Sequence, residues 1–337
     1  MTGRSKLTLA AGAAGVALIA WTVPAVAATQ LQALACFQRN HDYVNALHEH
    51  FIDPLNKANG PVSIKYRGGP EVIPWKGQGS AIQRGLIDMI YCPGTYYSGI
   101  LAEGRLPGAH NKSLEEIRSN GAWDMMQEAW GKGLNSRILA WTFQNGQRFY
   151  MYTRFKPKLS KVTGVDLKGV KMRSTGLYKA FMRRMGATPI VISPSDVYSA
   201  LERGVVEGLA WPWGSVNTYG WGKFLKFRIS PPFFGATMLV LVNKKKFDAM
   251  TREEQAFLEK MGRQYETTAD EAVIRLGKRD DAALQKAGVQ WLDLEGEYRE
   301  AYVRTIYGAK WAENDALADK YVVDYKTLKS RLYDPNK

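Results

Sequence analysis

Residues 165–213 read VDLKGVKMRSTGLYKAFMRRMGATPIVISPSDVYSALERGVVEGLAWPW. Short apolar runs alternate here with segments of helical period, so the stretch predicts one strand, helix, strand, helix, strand unit. The first strand, 169–173, ends on Arg173. Leu177, Phe181 and Met185 recur every fourth residue on one helix face, and Gly186 supplies the left-handed stop. A second strand follows over 188–192. Ser193, Pro194 and Asp196 predict a helix start with the hydroxyl as cap and the proline in the first turn. Val197, Ala200 and Leu201 then face inward until Gly204, and a third strand over 205–210 stops at Trp211-Pro212. Ligands of such units collect outside the carboxyl ends of the parallel strands, where helix N-termini also point unpaired amides. Arg173 and Trp211 both fall there.

Working outward, the same five elements occur earlier. A strand over 31–36 is followed by a helix marked by Val44, Leu47, His48, Phe51 and Leu55 and closed by Asn59-Gly60-Pro61. A strand over 62–66, a short helix over 79–83 and a strand over 86–92 complete the unit. Ala81-Ile82-Gln83-Arg84-Gly85-Leu86-Ile87-Asp88 aligns with Ala200-Leu201-Glu202-Arg203-Gly204-Val205-Val206-Glu207, and Pro93 with Pro212. Shared helix-to-strand turn chemistry would also give such a match. Its equivalent place in two similar units favours two related lobes, whose strand ends, Tyr91 to Tyr97 and Ala210 to Trp213, face each other across a cleft.

The remaining segments connect these units. A helix is predicted over 114–130, then strands over 137–143 and 148–153 joined by the turn signal Gln144-Asn145-Gly146, which carry the chain between lobes. A strand over 236–242 returns it. From 251 to about 287 there is one long helix, opened by the capping box Thr251 to Glu254 and, at 1.5 Å per residue, about 50 Å long. Phe257, Met261, Tyr265 and Ala272 give its inner face, while Asp270, Lys278, Arg279 and Asp280 read as solvated. The expected fold is α/β: a two-lobed periplasmic binding protein fold, each lobe a mixed, mostly parallel sheet flanked by helices, with the long helix bracing both. The expected division is 29–151 with 235–275 in one lobe and 152–234 with 276–337 in the other.

Residues 1–28 read as a secretory signal, with Arg4 and Lys6 before an apolar run and Ala25-Val26-Ala27 at the cleavage site. That run is too short for a membrane span, which needs roughly 20 residues. Losing the signal would lower the formal charge of +14 by two. A basic export product attracts anions, yet no nucleic-acid motif is present, so an acidic small solute or merely a basic surface remains. Cys36 and Cys92 either pair in an oxidising compartment or stay as buried thiols.

Arg173 is the sharpest candidate, because a guanidinium at a strand end beside a helix start at Ser174 and Thr175 can grip a carboxylate. The bland alternative is a surface or ion-paired arginine. Arg148 is a second candidate, against plain strand-edge cover. Trp211, Trp213, Tyr91, Tyr96 and Tyr97 gather at the two predicted strand ends and could wall an apolar solute, with phenol and indole donors to orient it. Any one of them could equally be core. Phe37 and Thr95, in the neighbouring loops, complete the candidate ligand-binding set. No pair among His41, His48, His50 and His110 has the i, i+4 spacing that puts two imidazoles on one helix face, no phosphate loop is present, and nothing orients Cys92 and His41 as a nucleophile pair. No catalytic residue, metal or cofactor is expected, and a receptor that binds without reacting fits best.

The run Asp166-Leu167-Lys168-Gly169-Val170-Lys171-Met172-Arg173, with Gly186-Ala187-Thr188-Pro189, Asp196-Val197-Tyr198-Ser199-Ala200-Leu201 and Gly204-Val205-Val206-Glu207-Gly208, resembles the solute receptors of tripartite ATP-independent periplasmic (TRAP) transporters. The resemblance implies a periplasmic protein that closes on an organic acid and hands it to the transporter's membrane subunits. It implies that Arg173 pairs with the carboxylate and that Arg148 assists. Many members carry Asn where Trp211 stands. That departure points away from a sugar acid and toward a carboxylate with an aromatic or otherwise apolar body; a zwitterion whose cation stacks on Trp211 is also compatible. A periplasmic sensing module for a receptor kinase, or an exported enzyme acting on a carboxylate, would use the same lobes.

Overall fold

Strands β1 (Thr29–Ala35), β2 (Val62–Gly68) and β3 (Met89–Cys92) lie parallel, each with an apolar face turned to the helices between them. The computed structural model describes residues 1–3, 28–143, 148–235 and 237–334. The secretory signal read over 1–28 therefore falls almost wholly outside the described residues, as does the Asn-Gly turn. The further strands are β4 (Ser136–Thr142), β5 (Arg148–Thr153), β6 (Lys158–Ser160), β7 (Gly164–Asp166), β8 (Lys171–Ser174), β9 (Thr188–Val191), β10 (Gly208–Pro212), β11 (Phe227–Gly235), β12 (Met238–Asn243) and β13 (Gln290–Asp293). Two mixed sheets result, ordered β2-β1-β3-β12-β4 and β13-β11-β5-β10-β8-β9.

The duplication read from the sequence is matched bond for bond. The helices Gln78–Gln83 and Val197–Glu202 end on Gly85 and Gly204, both at positive φ (72° and 68°), a conformation that costs glycine little. Leu86 N donates to Ala81 O at 2.9 Å and Val205 N to Ala200 O at 2.8 Å. Asp88 then pairs through its amide and carboxylate with Gln32, as Glu207 does with Lys171. The two acidic side chains thus pin equivalent strands in both lobes.

Several expectations are corrected. β4 pairs with β12 in the first sheet and β5 with β10 and β11 in the second, so this connection crosses between lobes as expected, but at an earlier residue. β5 therefore belongs from Arg148 onward to the second sheet, ahead of the expected boundary at 151/152. The last helix, Tyr325–Leu332, packs in the core of the first lobe with Trp130, so the tail does not belong wholly to the second. The helix expected over 114–130 is two, Leu114–Ser119 and Ala122–Leu134, separated at Gly121 with φ 81°. Ser193 bonds to the Ser195 hydroxyl and caps no amide. β11 and β13 were not legible, the first because its Pro231-Pro232 contradicts strand propensity.

The long helix runs Arg252–Lys286 with the capping box formed. Two side chains fasten it: Glu266 accepts from Trp141 N and Arg118 in the first lobe, and Asp280 accepts from Val216 N and Asn217 N in the second. Asp280 is thus buried rather than solvated, because two amides replace its water. Gly262 lets the helix touch the Leu139 carbonyl, and Gly277 lets it touch the Trp213 indole; an added Cβ would collide at 2.5 and 2.3 Å.

Candidate solute-binding cleft

The carboxyl ends of the central strands of both sheets enclose one cavity, with about 50 Å³ open to atom centres. On that measure a water needs about 10–15 Å³, so the space suits a compact solute. The first lobe contributes Phe37, Tyr43, Pro93, Thr95 and Tyr96, and the second contributes Phe149, Arg173, Thr175, Leu177, Tyr178, Trp211 and Pro212. Thr237 and Met238 line it from the return crossing.

Of the sequence candidates, Arg173, Trp211, Tyr96, Phe37 and Thr95 are brought together here. Tyr91 is not: its hydroxyl bonds with Thr142 and Tyr265 inside the first lobe. Tyr97 accepts from the Trp130 indole at 3.0 Å and is core as well. Trp213 lies against Gly277 of the long helix. Arg148 is not among the residues lining the cavity; its charge lies near Tyr307, where it partly offsets the upward push that burial gives that phenol. Tyr178, Thr175, Tyr43, Leu177 and Phe149 were missed. Leu177 looked like a core position by its period, and only the carboxyl-end location of 175–178 hinted at the site.

Arg173 has no exposed surface. Its Nε donates to the Ile192 carbonyl at 3.1 Å and its Nη1 to the Tyr178 hydroxyl, while Nη2 makes no hydrogen bond of good geometry, although the Tyr96 hydroxyl lies close enough to the guanidinium to interact with it. The guanidinium lies over the Trp211 ring, 5.0 Å from the centroid. No acidic residue is among those lining the cavity, and a guanidinium cannot shed its charge. Burial pushes the Tyr96 and Tyr178 phenols above their ordinary range, an effect the charge of Arg173 only partly offsets. Both phenols are therefore neutral donors at physiological pH. The helix expected beside Arg173 begins only at Lys179 and is six residues long, so its amides do not extend the anion site. Nor does the Trp211 indole offer its N–H, which donates to Ser215 Oγ at 2.8 Å; Trp211 presents a ring face.

Behind the cavity wall, His41 joins the lobes. It stacks on Phe37 at 4.5 Å and meets Trp211 and Tyr219 of the second lobe at 6.4 and 5.2 Å. Its Nδ1 accepts from Tyr43 N, so the ring is neutral, with the proton on Nε2. Burial lowers its pKa from 6.5 to about 3. Tyr43 and Tyr219 flank the ring, and the nearby Asp42 is engaged by Arg279 and the Thr218 hydroxyl. Between those pH values the unfolded chain binds a proton that the folded chain refuses. The contribution of His41 to stability is therefore complete above pH 6.5 and falls with acid at about 1.4 kcal/mol per unit, or about 2 kcal/mol by pH 5. In urea titrations at pH 8 and 5 the acid loss should shrink by about that amount in His41→Asn, which retains a capping side chain, leaving the smaller part that His48, also lowered by burial, contributes. If the variant keeps the full loss, His41 is not its source.

Among the described residues, no group of three or more His, Cys, Asp and Glu side chains could hold a metal ion, and no helix is long and apolar enough to cross a membrane. The chain is 31% identical over 134 residues to a monocarboxylate 2-oxoacid-binding periplasmic protein of Nostoc sp., an alignment that covers 36% of each chain. With a 2,3-diketo-L-gulonate-binding periplasmic protein of Escherichia coli it shares 31% over 137 residues, 40% of each. The chain thus spans well under half the length of these two relatives. A solute-binding protein of Albidiferax ferrireducens aligns at 22% identity over 85% of this chain and 87% of its own. In structure the chain is similar to a TRAP transporter solute-binding protein of Bordetella bronchiseptica with calcium and picolinate in its site (TM-score 0.77, 19% identity, 91% and 92% covered). A receptor of Desulfovibrio salexigens with bound orotic acid gives TM-score 0.77 at 17% identity, with 90% and 97% covered. These likenesses establish the fold. The DctP model, that of bacterial extracellular solute-binding proteins of family 7, matches residues 38–313, and the chain belongs to that family.

Proposed function

We propose that the protein is the periplasmic receptor of a TRAP transporter, closing its two lobes on one small organic acid and delivering it to the membrane subunits. The observation that carries this reading is the buried Arg173, which lines the cavity with its Nη2 unpartnered and no acid among the other lining residues. A buried charge without a counter-ion is costly. A solute carboxylate supplies that counter-ion, accepting from Nη2 and from a neutral phenol such as Tyr96. Aromatic rings from both lobes meet around the solute, so binding favours the closed form. The bound acids of the relatives support the same class. Arg148 we assign at most a supporting part, through the field it adds near the strand ends. The test is a thermal-shift screen of organic acids followed by calorimetry, then uptake of the identified acid in vesicles carrying the two membrane subunits. Failure of every carboxylate to raise the melting temperature, or turnover of the bound acid, would defeat the reading.

A further inference from the structure

We infer that this cavity selects a singly charged carboxylate whose body is uncharged and largely apolar, and that it rejects both dicarboxylates and zwitterions. The inference rests on the carboxylate reading above and adds a count of charges. Arg173 is the only charged side chain among the residues lining the cavity; its other polar residues are three threonines and three tyrosines. Nothing there can neutralise a second carboxylate. Arg148 lies outside the lining, and hydroxyls can hydrogen-bond an anion without cancelling its charge.

An ammonium fares no better. The seat that a solute cation would take, over the face of Trp211, is held by the guanidinium of Arg173 itself, 5.0 Å from the ring centroid. This corrects the expectation that a cationic solute could stack there. An incoming ammonium would meet a like charge at close range. Asp42 precedes the wall residue Tyr43 in the chain, but its carboxylate is engaged by Arg279 at 3.2 Å and by Thr218. The walls that remain, Phe37, Phe149, Leu177 and Trp211, match an apolar body, and the small volume keeps it compact.

The experiment is calorimetry with four five-carbon probes: 2-oxopentanoate, 2-oxopentanedioate, the singly charged 5-amide of that diacid, and 2-aminopentanoate. The amide has the size of the diacid without its second charge, which separates charge from volume. The expected result is binding of 2-oxopentanoate and of the amide, with the diacid and the amino acid at least a hundredfold weaker. A diacid or amino acid within tenfold of 2-oxopentanoate overturns the inference. If the diacid binds well and still requires Arg173, only the charge count falls and the carboxylate receptor stands. If none of the four binds, this inference falls, and the receptor reading falls with it only when the wider screen of organic acids also finds none.

Discussion

Replacing Arg173 with methionine is expected to weaken binding of the cognate acid by about 3–5 kcal/mol, a hundredfold to several thousandfold, while the ligand-free protein keeps its stability or gains some. The first effect follows from removing one partner of a buried ion pair, which leaves the solute's carboxylate desolvated and unmatched. The second follows from the state of the guanidinium without ligand: fully buried, held by one carbonyl and one phenol, with Nη2 unpartnered and no acid lining the cavity. Replacing a buried charge by an apolar side chain of similar length is often neutral or stabilising by about 1–4 kcal/mol. A purely structural arginine would give the reverse pattern, a destabilised protein with unchanged affinity for what still folds. Calorimetry with urea denaturation on the same variant separates the two, and the reverse pattern would remove Arg173 from the site.

Breaking the bridge between Cys36 and Cys92 should have the largest effect on stability. The two are joined as a disulfide with Cα atoms 5.2 Å apart and lie 56 positions apart in sequence. Closing a loop of that length restricts the unfolded chain by about 4 kcal/mol in the chain-entropy account. The double variant Cys36→Ala with Cys92→Ala should lose about that much in urea denaturation. Both residues sit at strand ends directly before Phe37 and Pro93 of the cavity wall. A loss of affinity accompanying the loss of stability is therefore expected, smaller than that of Arg173→Met because no contact to the solute's charge is removed. A double variant as stable as the parent would show that the bridge contributes nothing.

The cysteines also mark a limit of the sequence. Pairing and free thiols were equally open, since two cysteines far apart carry no register. The parallel register that sets Ala35 opposite Tyr91 decides it, because the next residues along both strands are then neighbours. Trp211 shows the same limit at the site. Its place at the end of a central strand was legible, but its role was not, since only the folded chain shows the indole N–H engaged by Ser215 and the ring face by Arg173. Tyr91 and Tyr97 look the same as Tyr96 in sequence. They separate only when the first two turn into the core of their own lobe and the third into the cavity.

By itself the sequence determined the architecture: apolar periods, glycines at left-handed stops and a capping box are local signals, each readable within a turn or two of chain. It also determined that Arg173 ends a central strand, because strand order within the unit follows from those signals. Whether that arginine has a counter-ion, which aromatic rings wall the cavity, and at which residue the chain changes lobes were decided by tertiary structure alone. The physical reason is that these depend on groups far apart in sequence meeting in a buried space, where a charge without a partner is costly and the packing of two lobes fixes which partners are present.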